Sequence, residues 1–88
     1  MIQPVVYILR CKNGRFYIGS TNDIQRRLEE HQSGHTASLR ALLPVELAFK
    51  QKYDTMKSAR KIEYRLKKLK SRTIIERIVQ EQKIAMQP

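Results

Sequence analysis

Two tyrosines, an arginine and a histidine four residues apart, and one acid inside a basic run are the groups of this 88-residue chain best suited to chemistry on phosphate. They are Tyr7 and Tyr17, Arg27 with His31, and Glu63. A phenol can orient water or phosphate by hydrogen bonding, but with a pKa of about 10 it is a poor base at neutral pH unless nearby cations, here Arg27 or a metal ion, lower that value. A guanidinium presents a planar fork to phosphoryl oxygens. Between Lys57 and Arg72 stand eight Lys/Arg and the single Glu63, so this segment carries +7 of the chain's +10. Each residue alone has an ordinary explanation. Strand tyrosines are usually cross-strand packing, an Arg/His pair is usually solvated or capping, and Glu63 with Lys67 makes a helix-surface pair worth a few tenths of a kcal/mol. The combination sets the chain apart.

Length and composition narrow the partner. Eighty-eight residues allow one domain, with its core over about residues 4–80 of the single unit 1–88, and 41% hydrophobic content without Trp supports a small two-layer fold. The lone Cys11 cannot form an internal disulfide and has no neighbours at zinc-site spacing, which suits a reducing, cytoplasmic compartment. No apolar run approaches the ~18 residues of a membrane span, and the start lacks a signal-peptide pattern. The excess positive charge asks for a polyanion, with nucleic acid ahead of an anionic membrane surface.

The elements that must position these groups follow from pattern. Val5 to Cys11 is β-branched and aromatic, Lys12-Asn13-Gly14 is turn chemistry, and Arg15 to Ser20 resumes as a strand, which predicts a hairpin. Thr21, Asn22 or Asp23 can cap a helix through Ile24 and Leu28 that stops near Ser33-Gly34. Residues 35–43 lack a period and read as loop. Pro44 opens a strand, at an edge or a strand start, that places Val45, Leu47, Phe49 and Tyr53 on one face. A helix over about 57–70 buries Ala59, Ile62, Leu66 and Leu69, and another over about 73–82 carries Ile74, Ile75, Ile78 and Val79. The expected class is α+β: a small three-stranded, mostly antiparallel sheet flanked by three helices, in the order strand, strand, helix, strand, helix, helix.

Geometry then tests the site. A two-residue Asn13-Gly14 turn would face Tyr17 with Arg10 and put the two phenols on opposite faces. A three-residue loop over Lys12, Asn13 and left-handed Gly14 pairs residue 9 with 17 and 7 with 19, putting both phenols on one face, and this loop is the one expected. At about 100° per residue, Arg27 and His31 lie within about 60° of the apolar side of their helix, whereas Arg26 points away. Glu63 sits about 100° from Ile62, at the edge of the buried stripe.

Val5-Val6-Tyr7, Tyr17-Ile18-Gly19, the Arg27/His31 pair and Glu63 in its basic helix resemble the GIY-YIG nuclease superfamily, in particular its small stand-alone UvrC-like (URI-domain) endonucleases. The chain departs from that pattern at Val5, where the motif has Gly, and after Gly34, where His35-Thr36-Ala37-Ser38 stands in place of a loop that often carries a basic residue. The resemblance implies that Tyr7 and Tyr17 are the motif tyrosines, Arg27 and His31 the catalytic pair on the helix, and Glu63 the ligand of a single Mg²⁺ (or Mn²⁺). It implies an endonuclease hydrolysing DNA phosphodiester bonds, in DNA repair or processing. The basic helix, through Arg60, Lys61, Lys67 and Lys70, is expected to bind the nucleic acid. A monomer targeted by substrate shape or by a protein partner is expected. The rival readings are a non-catalytic nucleic-acid-binding module on the same fold and, further behind, an adapter for an acidic protein.

Overall fold

Val5 through Leu9 are all buried, as a central strand covered on both faces requires. In the computed structural model, which describes residues 2–88, this strand, β1 (Val5–Cys11), lies between β2 (Phe16–Thr21) and β3 (Val45–Lys52) in the order β2-β1-β3. Both pairings are antiparallel. The helices are α1 (Ile24–Gln32), α2 (Ala37–Arg40), α3 (Met56–Leu69) and α4 (Arg72–Glu81). The α+β class and the element order are as expected, with α2 as one added turn inside the segment read as loop. Its reason is Leu39, which is buried with Tyr7, Leu9 and Val45. One turn is too short to show a period.

Alternation along β1 divides the core in two. Val5, Tyr7, Leu9 and Cys11 face α1 and α2, while Val6 and Ile8 face Ala59, Ile62 and Leu66 of α3 and Ile75 and Ile78 of α4. Helices therefore cover both sheet faces, giving three layers where the small size pointed to two. The chain after α4 also packs, because Ile84 is buried in the second cluster and its N–H donates to Gln51 Oε1 at 2.9 Å.

Local signals fix the helix ends. The side chains of Asp23, Thr55 and Ser71 accept the backbone N–H groups of Arg26, Ser58 and Ile74, satisfying one free donor at each start. Gly34, at φ +81°, follows the C-terminus of α1 in the left-handed conformation that favours glycine. Leu69 and Ile74, placed by their spacing in the buried stripes, are instead 46% and 37% exposed, because the chain turns sharply between α3 and α4 at left-handed Lys70.

The third strand corrects the single-face reading. Leu9 pairs with Leu47 but Ile8 pairs with Phe49, so Ala48 is an extra residue without a partner, a β-bulge. The bulge reverses the alternation. Val45 joins the Tyr7 side and Phe49 the α3 side, with Tyr53 also packed on the latter. β3 is an edge strand, as Pro44 suggested. No helix among the described residues is long and apolar enough to cross a membrane.

Candidate active site

The hairpin register decides whether two phenols can share one site. Leu9 pairs with Tyr17 and Tyr7 with Gly19, Gly14 is left-handed at φ +85°, and its N–H donates to the Cys11 carbonyl. This is the three-residue loop, and both tyrosines project toward α1. Gly19 is the platform for Tyr7: a Cβ there would lie 2.4 Å from both Cζ and Oη of the phenol.

Beneath the phenols lies His31, in the last turn of α1 and fully buried. Its Nε2 is 2.8 Å from Tyr7 Oη, and its Nδ1 is 2.7 Å from Thr36 Oγ1. The Tyr17 ring meets the imidazole edge-on, with centroids 5.3 Å apart. Arg27, one turn earlier on α1, donates to Glu30 Oε1 at 3.1 Å, and its side chain is 34% exposed against 57% for Arg26. The wheel assignment of Arg27 inward and Arg26 outward therefore holds.

Glu63 arrives from the other layer. Helix α3 covers the opposite sheet face, and the edge of its buried stripe meets β2, the outer strand, where Ser20 Oγ donates to Glu63 Oε1. Lys67 Nζ is 2.6 Å from Glu63 Oε2 and 6.0 Å from the centroid of the Tyr17 ring, tying carboxylate and phenol to one edge. An open concavity lined by Ser20, Arg27, Glu30 and Arg60 lies along that edge between α1 and α3. The site is thus a sheet edge clasped by two helices, rather than one open face.

Electrostatics revise one expectation. Burial pushes the Tyr7 phenol up to about 12, and although the Arg27 charge pulls the other way, desolvation prevails. The expectation that cations would make Tyr7 a stronger acid is therefore overturned for the free protein. His31 is held below its ordinary value by burial and then by the Arg27 charge, with Glu30 opposing. Both directions favour a neutral imidazole beneath a protonated phenol.

Most of the chain matches a known catalytic domain. Residues 3–76 match the family described as "GIY-YIG catalytic domain". The chain belongs to the GIY-YIG family. It is similar to a UPF0213 protein of Bacillus licheniformis, 41% identical over 78 residues that cover 88% of this chain and 79% of the relative. A UPF0213 protein of Halobacterium salinarum is 40% identical over 65 residues, 73% of this chain and 84% of the relative. The solution NMR structure of a UPF0213 protein from Bacillus halodurans superposes with a TM-score of 0.60 at 34% identity, covering 92% of this chain and 86% of that one. GIY-YIG nucleases act on nucleic acid.

Within this GIY-YIG chain, Val5, where the sequence resemblance expects the motif glycine, is a buried strand residue paired with Thr21 and Lys52. The basic helix divides. Arg60 borders the concavity and Lys67 and Lys70 share a groove farther along β2, whereas Lys61 lies about 160° round the helix from Glu63. Two polar partners, Ser20 and Thr36, escaped the sequence reading. Ser20 faces the α3 side, so its role depended on which layer carries Glu63. Thr36 lies five residues after His31, across the end of α1, where no periodic signal reaches.

Thr36→Val is expected to destabilise the fold by about 1 kcal/mol, because the fully buried imidazole loses its Nδ1 partner, while Thr36→Ser retains stability. Denaturant midpoints check this. The pH profile follows from His31. Its folded pKa lies below the unfolded value of about 6.5, so the unfolded chain binds the extra proton as the medium becomes acidic. Stability is therefore level just above pH 6.5 and falls as pH drops below it. His31→Gln flattens the fall between about pH 6.5 and 5, above the range in which carboxylates titrate, as urea unfolding across pH will show.

Proposed function

We propose that the chain is a Mg²⁺- or Mn²⁺-dependent endonuclease that hydrolyses DNA phosphodiester bonds at the β2 edge. The observation that carries this reading is the buried relay from Tyr7 Oη to His31 Nε2 to Thr36 Oγ1, beside an arginine and a carboxylate at the same edge. Simple binding needs cations but has no use for a phenol–imidazole relay.

The relay also answers the objection that a phenol at about 12 is a poor base. As water attacks phosphorus, its proton passes to Tyr7 Oη while the phenol's own proton moves to His31 Nε2, 2.8 Å away. The phenolate need never accumulate. The relay uses the tautomer in which His31 Nδ1–H donates to the Thr36 hydroxyl, 2.7 Å away, and Nε2 is free to accept. The new imidazolium sits in the last turn of α1, where the helix dipole favours positive charge. Arg27 binds the phosphoryl oxygens, Tyr17 orients water or phosphate, and Arg60, Lys67 and Lys70 draw in the backbone.

Glu63 suits a hard cation. Among the described residues no three His, Cys, Asp or Glu cluster, and both nitrogens of His31 are engaged, so the donor set is one carboxylate. That matches an ion such as Mg²⁺, which keeps several waters and takes a substrate phosphate oxygen. The Lys67 ammonium against Oε2 shows that the carboxylate already attracts positive charge. When bound, the metal would polarise the phosphate and stabilise the departing oxygen. Engagement of both Glu63 oxygens by Ser20 and Lys67 is the observation that favours the rival binding module.

Supercoiled plasmid, with linear, flap and single-stranded DNA alongside, decides between them. Nicking in Mg²⁺ or Mn²⁺ that stops in EDTA is expected. Tight binding without cutting of any substrate by folded protein would establish the binding module instead.

A further inference from the structure

Beyond the catalytic edge, the far end of α3 and the start of α4 enclose an open groove beside β2. Its floor is apolar, made by Phe16, Leu66 and Ile75, and its rim is cationic, made by Arg15, Lys70 and Arg72. No acid is among the described residues that line it. Lys67, which lines the same groove, is the residue paired with Glu63, so groove and catalytic edge are continuous. The Phe16 ring is approached by two guanidiniums, Arg72 at 5.0 Å and Arg10 at 5.5 Å from its centroid.

Arg72 Nε already donates to Glu76 Oε1 at 3.1 Å, which leaves Arg15 and Lys70 as the rim charges for an anion. A bare phosphate would satisfy these two but leave the apolar floor unused, and an aliphatic ligand would leave them without an anion. A nucleotide satisfies both, since its base is a flat apolar plate and its phosphate an anion. Aromatic rings and arginine planes are the surfaces on which unpaired bases stack. Bases inside a duplex have both faces covered by their neighbours, so an intact helix offers the groove only phosphate.

We propose that this groove holds an unpaired nucleotide beside the bond to be cut, its base stacked at Phe16 and Arg72 and its phosphate held by Arg15 and Lys70. The inference rests on the nuclease reading and gives it a substrate class: DNA that carries an unpaired nucleotide, such as a bulge, flap or single-stranded junction. The positive end of the α4 dipole opens toward the same groove and adds to the attraction for phosphate.

The test is binding in EDTA, where no cutting occurs, using a duplex with one bulged 2-aminopurine and the same duplex fully paired. The bulged duplex is expected to bind about tenfold tighter, the gain of one stacked base, with its fluorescence quenched on binding. Phe16→Leu keeps the apolar floor and removes the ring, and should abolish both preference and quenching. Arg15→Ser, on an exposed hairpin residue, should weaken bulged binding more than paired binding. Equal affinity for the two duplexes, unchanged fluorescence, variants that bind as the unaltered protein does, or equally effective competition by poly-glutamate would each overturn the proposal. Plasmid nicking is scored separately. Nicking without bulge preference removes the groove and leaves the nuclease, whereas bulge preference without nicking removes the nuclease and leaves the groove.

Discussion

Gly19→Ala is expected to destabilise the fold by roughly 1–3 kcal/mol and to lower plasmid nicking by about a hundredfold in whatever protein remains folded. The added Cβ would lie 2.4 Å from Cζ and Oη of Tyr7, closer than real contacts allow. The phenol has nowhere to retreat, being 1% exposed and held to His31 at 2.8 Å. The ring must therefore tilt away from its platform, and a displacement of about 1 Å at a reacting group can cost about two orders of magnitude in rate. Gly14→Ala is the control. It sits at φ +85° with nothing within 4 Å of a new Cβ, so it should cost about 1 kcal/mol of backbone strain and leave the site intact. Thermal melts and nicking rates for the two variants should thus diverge in activity more than in stability. Equal nicking by both would show that the seat of the Tyr7 ring is unimportant.

Tyr7→Phe is expected to reduce nicking by a factor of about 10² to 10⁴, the usual contribution of a positioned acid–base group. Phenylalanine keeps the ring on Gly19 and the packing against Val5 and Leu9, so the hydrophobic cluster survives. What goes is the hydroxyl proposed to relay the proton, which is also the hydrogen-bond partner of His31 Nε2. Stability should fall by about 1–3 kcal/mol for the unpaired buried nitrogen, which a denaturation curve measures independently. Because binding by the basic helix does not use Tyr7, DNA affinity should hold while the rate falls.

The sequence made these effects foreseeable in part. Asn13-Gly14 between two strands leaves the hairpin loop at two or three residues, and the demand that both phenols share a face selects three, as found. The cap at Asp23 is one of the three candidates read for the first helix, and the wheel separated Arg27 from Arg26. The caps at Thr55 and Ser71 went unread, although both helix starts lay within a residue of their expected places. Other features depend on contacts between distant segments. The bulge at Ala48 leaves no mark in a strand that reads as continuous, yet it moves Phe49 and Tyr53 to the α3 side. Ser20 and Glu63 are 43 residues apart and meet only because α3 wraps the β2 edge from the opposite layer. The rise of Tyr7 to about 12 likewise follows from burial under α1 and α2, which local pattern does not report. Spacing and the family resemblance therefore picked out candidate groups, and the three-layer packing gives them their buried partners.

The most direct measurement is single-turnover nicking of supercoiled plasmid by Glu63→Gln beside the unaltered protein, across a Mg²⁺ titration. Glutamine is nearly isosteric and can still accept from Ser20, so folding and plasmid binding should be retained. A metal-dependent centre at the β2 edge predicts nicking that rises with Mg²⁺ in the unaltered protein and stays at background in Glu63→Gln at every concentration. Nicking by Glu63→Gln that follows the same Mg²⁺ curve would contradict the assignment of this edge as the catalytic centre.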